Sequence, residues 1–347
     1  MKKLILILFI LIKFSFSQVW INDSFSTYLN KNYIMNLVNS NDELWLLNYN
    51  KIIRYSKGHF ESFWFDNNAI GNLSKFKEGN ATNTIWENIS SNNNSICIYK
   101  KNMDSLVFLI ISNNHVKNIK IERSEISYAS SINLDGNNII WFIGNLENNL
   151  KPEIYYLHDE SLNRFPLVLN DTLHGYRINK LFVINLEKYI VFSKIIKNFR
   201  VSSFILKLDN QNNYNFINFP DYEMNKNGFI VYNFYFNNDK LYILNNYSDL
   251  AIVDSDIKML NIDEDYLGEC FSFIVQKNIL YYAYTTSNTE VNLTEININD
   301  LKKENFSLPN VYNLGVKSLT LFDGHLIGLS GSCSNEWASN IFKFKIK

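Results

Sequence analysis

Short segments in which apolar and polar residues alternate recur along the whole chain, and stretches rich in Asn and Asp separate them. Alternation with a period of two predicts β-strands that have one buried face. The clearest of these segments are residues 43–49, 95–100, 138–144, 188–194, 240–246, 278–284 and 325–331. The pattern predicts an all-β protein.

These segments are regularly spaced. The positions taken as equivalent lie about 47 residues apart, and they are Trp45, Cys97, Trp141, Val191, Tyr242, Tyr281 and Ile327. An apolar run that ends in a polar turn precedes each segment, and two further short runs follow most of them. Four short strands per repeat are typical of a propeller blade. Seven repeats predict a seven-bladed β-propeller of four-stranded blades; six or eight blades, or tandem β-sandwich domains, are the alternatives.

The two ends of the chain bear on how such a ring would close. The seventh repeat has room for only three strands before the sequence stops, whereas residues 19–28, ahead of the first repeat, have the composition of a strand. A ring has to join its first and last blades, because an unpaired seam would expose strand edges. We therefore predict that residues 19–28 form the outermost strand of the last blade.

The composition agrees with a folded β protein. Of 347 residues, 46% are apolar and 19% charged, and the 26 Phe and 21 Tyr favour strands. Only 12 Gly are present against 55 Asn, so we expect Asn to occupy the left-handed turn positions that Gly would otherwise take. The net charge of -1 gives no basic footprint for nucleic acid.

The first 17 residues have the pattern of a secretory signal peptide. Lys2 and Lys3 precede an apolar run over residues 4–12, and Ser15 and Ser17 stand at the -3 and -1 positions of a cleavage site. The apolar run is too short to span a bilayer. We expect a signal peptide over residues 1–17, a single propeller domain over residues 18–347, export to the periplasm, cell surface or medium, and no transmembrane segment in the mature chain.

Two of the repeats carry a family resemblance. Residues 41–63 and 134–145 are similar to the repeats of exported bacterial β-propellers of the two-component-regulator type, with Asp135, Gly136 and Trp141 among the matching residues. The end of the signal segment, Phe-Ser-Gln, resembles that of exported Bacteroidota proteins. What the resemblance implies is the propeller fold and a location outside the cytoplasm.

Motifs for cofactor, metal or nucleophile chemistry were not found. The three Cys are far apart, no two of the five His are closer than 16 residues, and glycine-rich phosphate loops and nucleophile elbows are absent from the sequence. The acidic run at residues 263–265 is better explained as a solvated loop than as a calcium loop. We expect no cofactor and no bound metal.

Function is expected on one side of the ring. The turns between the second and third strands of each blade lie there together with the connections between blades. This side is expected to hold residues 64–83, 99–104, 145–152, 193–200 and 330–337, of which 64–83 is the longest connection. The candidate binding residues on this side are Trp64, Phe65, Lys101, Lys197, Arg200 and Trp337. The alternative for the aromatic residues of the first connection is that they anchor it to the blade edge.

These observations favour an exported, non-catalytic module that binds a protein or a glycan, as a scaffold in a cell-envelope assembly. The alternative is a propeller-fold carbohydrate hydrolase or lyase, which would need carboxylates or a His at the mouth of the central channel. The strands that line this channel are expected to begin near Met35, Ile85, Tyr128, Ile178, Phe229, Phe271 and Val316. All of these are apolar or aromatic, which favours binding over catalysis.

Overall fold

The computed structural model describes residues 34–77, 86–145, 151–167, 175–184, 186–195, 201–211, 213–219, 233–245, 249–254, 256–262, 272–285, 290–312, 316–330 and 340–346. These residues form seven antiparallel sheets arranged in a ring, which confirms the predicted seven-bladed β-propeller. The proposed signal peptide and the predicted closing strand at residues 19–28 lie outside the described residues.

The first three blades contain thirteen strands. Blade 1 has β1 Ile34–Ser40, β2 Glu43–Asn48, β3 Ile52–Ser56 and β4 His59–Phe63. Blade 2 has β6 Asn88–Ser91, β7 Ser95–Lys101, β8 Ser105–Ser112 and β9 His115–Glu122, with the short β5 Gly71–Asn72 added outside β9. Blade 3 has β10 Tyr128–Leu134, β11 Ile140–Asn145, β12 Glu153–His158 and β13 Ser161–Arg164.

Blades 4 to 7 repeat the same order. Blade 4 has β14 Arg177–Ile184, β15 Glu187–Ile195, β16 Val201–Leu208 and β17 Tyr214–Asn218. Blade 5 has β18 Asn233–Asn237, β19 Lys240–Leu244, β20 Asp249–Val253 and β21 Ile257–Asn261. Blade 6 has β22 Ser272–Gln276, β23 Ile279–Thr285, β24 Glu290–Asn297 and β25 Lys303–Tyr312, and the described strands of blade 7 are β26 Val316–Phe322, β27 His325–Ser330 and β28 Asn340–Lys345.

Tight turns join the strands, and Asn and Asp supply much of their geometry. Both central residues have positive φ in the turns Asn41–Asp42, Asn113–Asn114 and Asn238–Asp239. Positive φ at both positions defines the type I′ turn, whose twist matches that of the flanking strands. Ten of the fifteen non-glycine residues with positive φ in the described part are Asn or Asp. The expectation that Asn replaces Gly in the turns is confirmed.

The core lies between the blades. Side chains alternate along each second strand, so that Leu44 and Leu46 pack toward blade 7 whereas Trp45 and Leu47 pack toward blade 2. The same division holds in every blade and produces seven apolar clusters, one at each junction between neighbouring blades. The cluster between blades 7 and 1 closes the ring, and there Asn39 Nδ2 also donates a hydrogen bond to the carbonyl of Leu321 at 2.9 Å.

The strand register corrects one of the seven positions taken as equivalent. In blade 1 the pair next to the hairpin turn is Ser40 with Glu43, and Trp45 lies two residues after Glu43. Tyr242, Tyr281 and Ile327 occupy the same place in their hairpins. In blade 4 the last pair is Ile184 with Glu187, so the equivalent residue is Tyr189 and not Val191. Both residues point to the junction with blade 5, because residues two apart in a strand share a face.

The connection from blade 1 to blade 2 departs from a simple loop. Gly71 and Asn72 pair with Val116 and His115, which places β5 on the outer edge of blade 2. The N–H of Leu73 then donates to the carbonyl of Asn114 at 2.7 Å, and Leu73 itself is buried. Residues 67–76 therefore follow the outer rim toward the β8–β9 turn, instead of staying on the side where the blades connect.

Asp135 explains part of the repeat motif. Its carboxylate accepts hydrogen bonds from the N–H groups of Asn137 and Ile139 and from Nε1 of Trp141 at 3.1 Å. One buried side chain thus shapes the β10–β11 turn and fixes the Trp that packs between blades 3 and 4. Asp135 and Trp141 therefore have a structural role in this chain.

Gly328 provides a test of the tight packing inside blade 7, where Phe342 of β28 lies opposite it. A Cβ at this position would overlap the ring of Phe342, which is itself fully buried. We expect Gly328→Ala to lower the free energy of unfolding by about 1–3 kcal/mol, as overpacking usually does. Urea denaturation of both chains measures the change.

Gly58 is the matched control, because it has a positive φ and nothing lies near its added Cβ. Gly58→Asn should change the unfolding free energy by only a few tenths of a kcal/mol, since Asn tolerates this backbone. If Gly328→Ala were as stable as the control variant, the described close contact between Gly328 and the Phe342 ring would be wrong.

Candidate functional site

The two sides of the ring differ in what they carry. The connection side bears the turns between second and third strands and the connections between blades. The hairpin side bears the turns between first and second and between third and fourth strands. The candidate binding residues were expected on the connection side, and three of them, Trp64, Phe65 and Lys101, belong to the described residues.

Trp64 begins the connection that leaves blade 1. Its N–H donates to the carbonyl of Phe76 at 2.9 Å, and its ring is half-buried. Lys51, in the turn between β2 and β3, places Nζ 5.5 Å from the centre of that ring. Burial lowers the pKa of Lys51 from its ordinary value. The two side chains form a cation–π pair at the rim of blade 1.

Phe65 faces the opposite way. Its ring is fully buried and packs against Phe63, Phe76 and Trp86, with ring centres 6.5, 5.1 and 6.4 Å away. A side chain without exposed area cannot touch a partner. Phe65 belongs to the core between blades 1 and 2. Its position agrees with the alternative that the aromatic residues of this connection anchor it to the blade edge.

Lys100 lies beneath the surface beside Trp86. Its side chain is 2% exposed, and its Nζ is 5.0 Å from the centre of the buried Trp86 ring. Burial lowers the pKa of Lys100 to about 8, and the negative charge of Asp66 opposes the shift. Lys100 therefore supplies positive potential under the connection side without reaching a partner.

Lys101 points outward from the end of β7. Its N–H donates to a carboxylate oxygen of Glu87 at 3.2 Å, while its Nζ lies 5.8 Å from the ring centre of Tyr128 at the start of β10. Tyr128 is 49% exposed, and Met103, in the turn after β7, is 89% exposed. The carbonyl of Met103 accepts a hydrogen bond from Arg123 Nη1 at 2.8 Å, which fixes the turn.

A third lysine–aromatic pair repeats the arrangement at blade 4. Lys194, near the end of β15, holds Nζ 5.5 Å from the ring centre of Tyr176, which enters β14 from the preceding connection. We call the exposed and half-buried members of these pairs, together with Met103, the basic–aromatic surface. Its members are Lys51, Trp64, Lys101, Met103, Tyr128, Tyr176 and Lys194.

The other three candidate residues, Lys197, Arg200 and Trp337, lie outside the described residues. Sequence reasoning missed the partners of the two that do reach the surface, namely Lys51 for Trp64 and Tyr128 for Lys101. A positional signal exists. A Lys at the end of a second strand, or in the turn after it, meets an aromatic residue in a connection between blades or at the start of the next inner strand. Only the strand register shows which two residues meet.

The inner strands line the central channel. Met35, Tyr128, Ile178 and Val316 begin or lie close to the start of inner strands as expected, whereas residues 85, 229 and 271 are not described. The inner strands that the structure describes contain no Asp, Glu or His.

Two polar features stand out along these inner strands. Asn36 Nδ2 approaches Asn88 Oδ1 at 3.4 Å across the junction of blades 1 and 2. Lys180 is half-buried on β14, and burial lowers its pKa to about 8.

The hairpin side carries a cavity of about 510 Å³ at the channel mouth, lined among others by Asn93, Asn94, Phe234 and Phe236. Between blades 1 and 2 a smaller cavity of about 140 Å³ holds Arg54, which forms ion pairs with Glu43 at 3.5 Å and with Glu61. Arg54 also donates to Asn114 Oδ1 at 3.1 Å, so its charge is already matched within the protein.

Among the residues that the structure describes, no three His, Cys, Asp or Glu side chains gather as metal ligands would. No helix in the described part of the chain has the length and apolar character needed to cross a membrane.

No protein-family model matches the sequence, and no curated protein is similar to it. Solved structures share the fold. YCF48 bound to a D1 peptide aligns with a TM-score of 0.53 and 11% identity, over 95% of this chain and 95% of that chain. YCF48 from Cyanidioschyzon merolae aligns with a TM-score of 0.52 and 9% identity, over 94% and 98%.

Parts of larger proteins also align with this chain. The extracellular domain of the putative one-component system BT4673 from B. thetaiotaomicron has a TM-score of 0.53 and 11% identity, over 89% of this chain and 38% of that chain. A prolyl endopeptidase has a TM-score of 0.56 and 11% identity, over 92% and 50%. This chain therefore spans half or less of those two proteins. At such identities the likeness shows the propeller fold alone.

Lys100 gives a pH-dependent test of the surface. An unfolded chain holds the Lys100 proton up to about pH 10.5, but the folded chain releases it near pH 8. At neutral pH the folded state bears the cost of a buried ammonium group, and this cost falls as the pH rises above 8. We expect Lys100→Met to raise the free energy of unfolding near pH 7, by about 1 kcal/mol after allowance for screening.

Urea denaturation at neutral pH and again near pH 9.5 measures this effect, and the gain should shrink at the higher pH. Lys101→Met, at the exposed neighbouring position, is the control and should change the stability little at either pH. A loss of stability in Lys100→Met at neutral pH would contradict the assigned burial.

Proposed function

We propose that this protein is a non-catalytic binding propeller whose basic–aromatic surface holds an acidic segment of a protein partner. The observation that carries the proposal is the repetition of one arrangement, a lysine Nζ 5.5 to 5.8 Å from an aromatic ring, at three places on the connection side. Loops on a rigid frame are where binding residues concentrate.

The chemistry of the surface favours a protein over a neutral glycan. Lysines attract carboxylates, and the exposed Met103 and Tyr128 offer apolar area of the kind enriched in protein interfaces. A neutral sugar would gain nothing from the cations. YCF48, whose structure is similar to this one, was solved with a bound D1 peptide. That complex is an example of a peptide bound by a propeller, and it supports a protein partner for this chain.

We also propose that the protein acts outside the cytoplasm, as a scaffold in a cell-envelope assembly. The support is the basic and apolar pattern of residues 1–17 with its small residues before Gln18. The binding experiment therefore uses the full chain expressed in its own cells, where export and processing proceed normally.

Site-specific photo-cross-linking tests the binding surface. A photoreactive phenylalanine analogue replaces Met103 or Tyr128 on the connection side, and Leu301, which is 42% exposed in a turn of the hairpin side, in a control. We expect a discrete protein adduct from positions 103 and 128 and none from position 301. Equal adducts from all three positions, or none from 103 and 128, would contradict the proposal.

A charge reversal then tests the role of the lysines. Lys101→Glu should weaken the adduct at position 128, with a loss of affinity of about tenfold, and the remaining binding should respond less to salt. Lys258→Glu, at an exposed position on the outer strand β21, is the matched control and should leave the adduct unchanged. An adduct that survives Lys101→Glu at full yield would show that the partner is not recognised by charge.

A further inference from the structure

The outermost strands of the blades differ in charge. Outer strands carry unpaired backbone groups, and natural proteins protect them with charged residues or Pro. β4 contains Glu61, β13 contains Arg164, β21 contains Lys258, and β25 contains Lys303 and Glu304. On blade 2, the chain's own strand β5 pairs with part of β9.

Strand β17, on blade 4, is the exception among these described outer strands. Its sequence from Tyr214 to Asn218 contains neither a charged residue nor Pro, and it pairs with β16 without a bulge. Tyr214 is 63% exposed and Phe216 is 40% exposed. A regular, uncharged edge that displays aromatic side chains has the properties of a strand that accepts a partner strand.

A row of aromatic rings leads to this edge. Phe192 stacks on Phe204 with ring centres 4.8 Å apart, and Phe204 contacts Phe216 at 5.8 Å. Exposure rises along the row from 1% at Phe192 to 5% at Phe204 and 40% at Phe216. The row runs from the core to the edge of the sheet, where a further strand would continue it.

The backbone geometry indicates which residues could bond to an added strand. The N–H of Asp209 donates to the carbonyl of Asn213 at 3.0 Å at the start of the β16–β17 hairpin. Hydrogen-bonded and non-bonded pairs alternate along an antiparallel ladder. Asn215 and Ile217 therefore bond to β16, and the backbone groups of Tyr214, Phe216 and Asn218 point outward.

We propose that β17 pairs with β17 of a second copy of this chain, as an antiparallel two-fold strand pair centred on Phe216. In that register the outward backbone groups of Phe216 meet those of the second copy's Phe216, and Tyr214 lies opposite the second copy's Asn218. No charge opposes a like charge, and each copy supplies the next ring of the other's aromatic row. The pair joins outer rims and leaves the connection side open, so it does not depend on the proposed function.

Sedimentation velocity over a range of concentrations tests the pairing. The mature chain, residues 18–347, should form a dimer, and Phe216→Tyr should retain it. Phe216→Lys and Phe216→Glu should each be monomeric alone, because like charges would face each other across the two-fold axis. An equimolar mixture of these two variants should form a dimer again, because a Lys then faces a Glu.

Asn305→Lys is the matched control, since Asn305 is exposed on the outer strand β25 of blade 6, and this variant should remain a dimer. Circular dichroism confirms that each variant is folded. The proposal is overturned if the mature chain is monomeric at its highest soluble concentration, if Phe216→Lys alone is a dimer, or if the charged mixture stays monomeric.

Discussion

The packing of each blade against both of its neighbours is the interaction on which the rest of this structure depends. A blade has two apolar faces because side chains alternate along its strands, and neither face can be buried within the blade itself. The ring solves this by placing one apolar cluster at each of seven junctions. Full burial of one large apolar side chain contributes about 1.5–3 kcal/mol, so stability is distributed around the ring.

This arrangement determines where function can lie. The junctions use the faces of the blades, so the ends of the strands and the outer rim remain for binding. On the connection side, lysines at the ends of second strands meet aromatic residues of the connections or of the next inner strand, as Lys101 meets Tyr128. On the hairpin side, tight turns formed by Asn and Asp leave little room for long loops. The outer rim differs from blade to blade, and among the outer strands compared above, β17 is the least protected.

Much of the fold could be predicted from the sequence because the packing rule is local. Alternation and the spacing of about 47 residues indicate strands and blades, and Trp45, Tyr242, Tyr281 and Ile327 coincide in the register. Val191 was displaced by two residues from Tyr189 because a shift of two keeps the same face and the hydrophobic pattern does not change. Strand β5 was missed because two residues carry no periodic signal.

The site was harder to predict than the fold, for a physical reason. Phe65 and Trp64 are adjacent aromatic residues in one connection, yet one is fully buried and the other half-buried. Their neighbours in space, Trp86 and Lys51, come from other segments of the chain. Likewise, Lys100 is buried beside Trp86, whereas Lys101, the last residue of β7, is exposed. Contacts between distant segments decide these roles, and no local pattern records them.

The ring is closed by the packing of blade 1 against blade 7, and a double-mutant cycle measures this packing directly. Tyr55 of β3 and Phe322 of β26 meet edge to face across this junction, with ring centres 5.8 Å apart. The unfolding free energies of Tyr55→Ala, Phe322→Ala and the double variant, compared with that of the unchanged chain, give their coupling energy. We expect a coupling of about 0.5–1.5 kcal/mol. A coupling indistinguishable from zero would show that blades 1 and 7 do not pack together in solution.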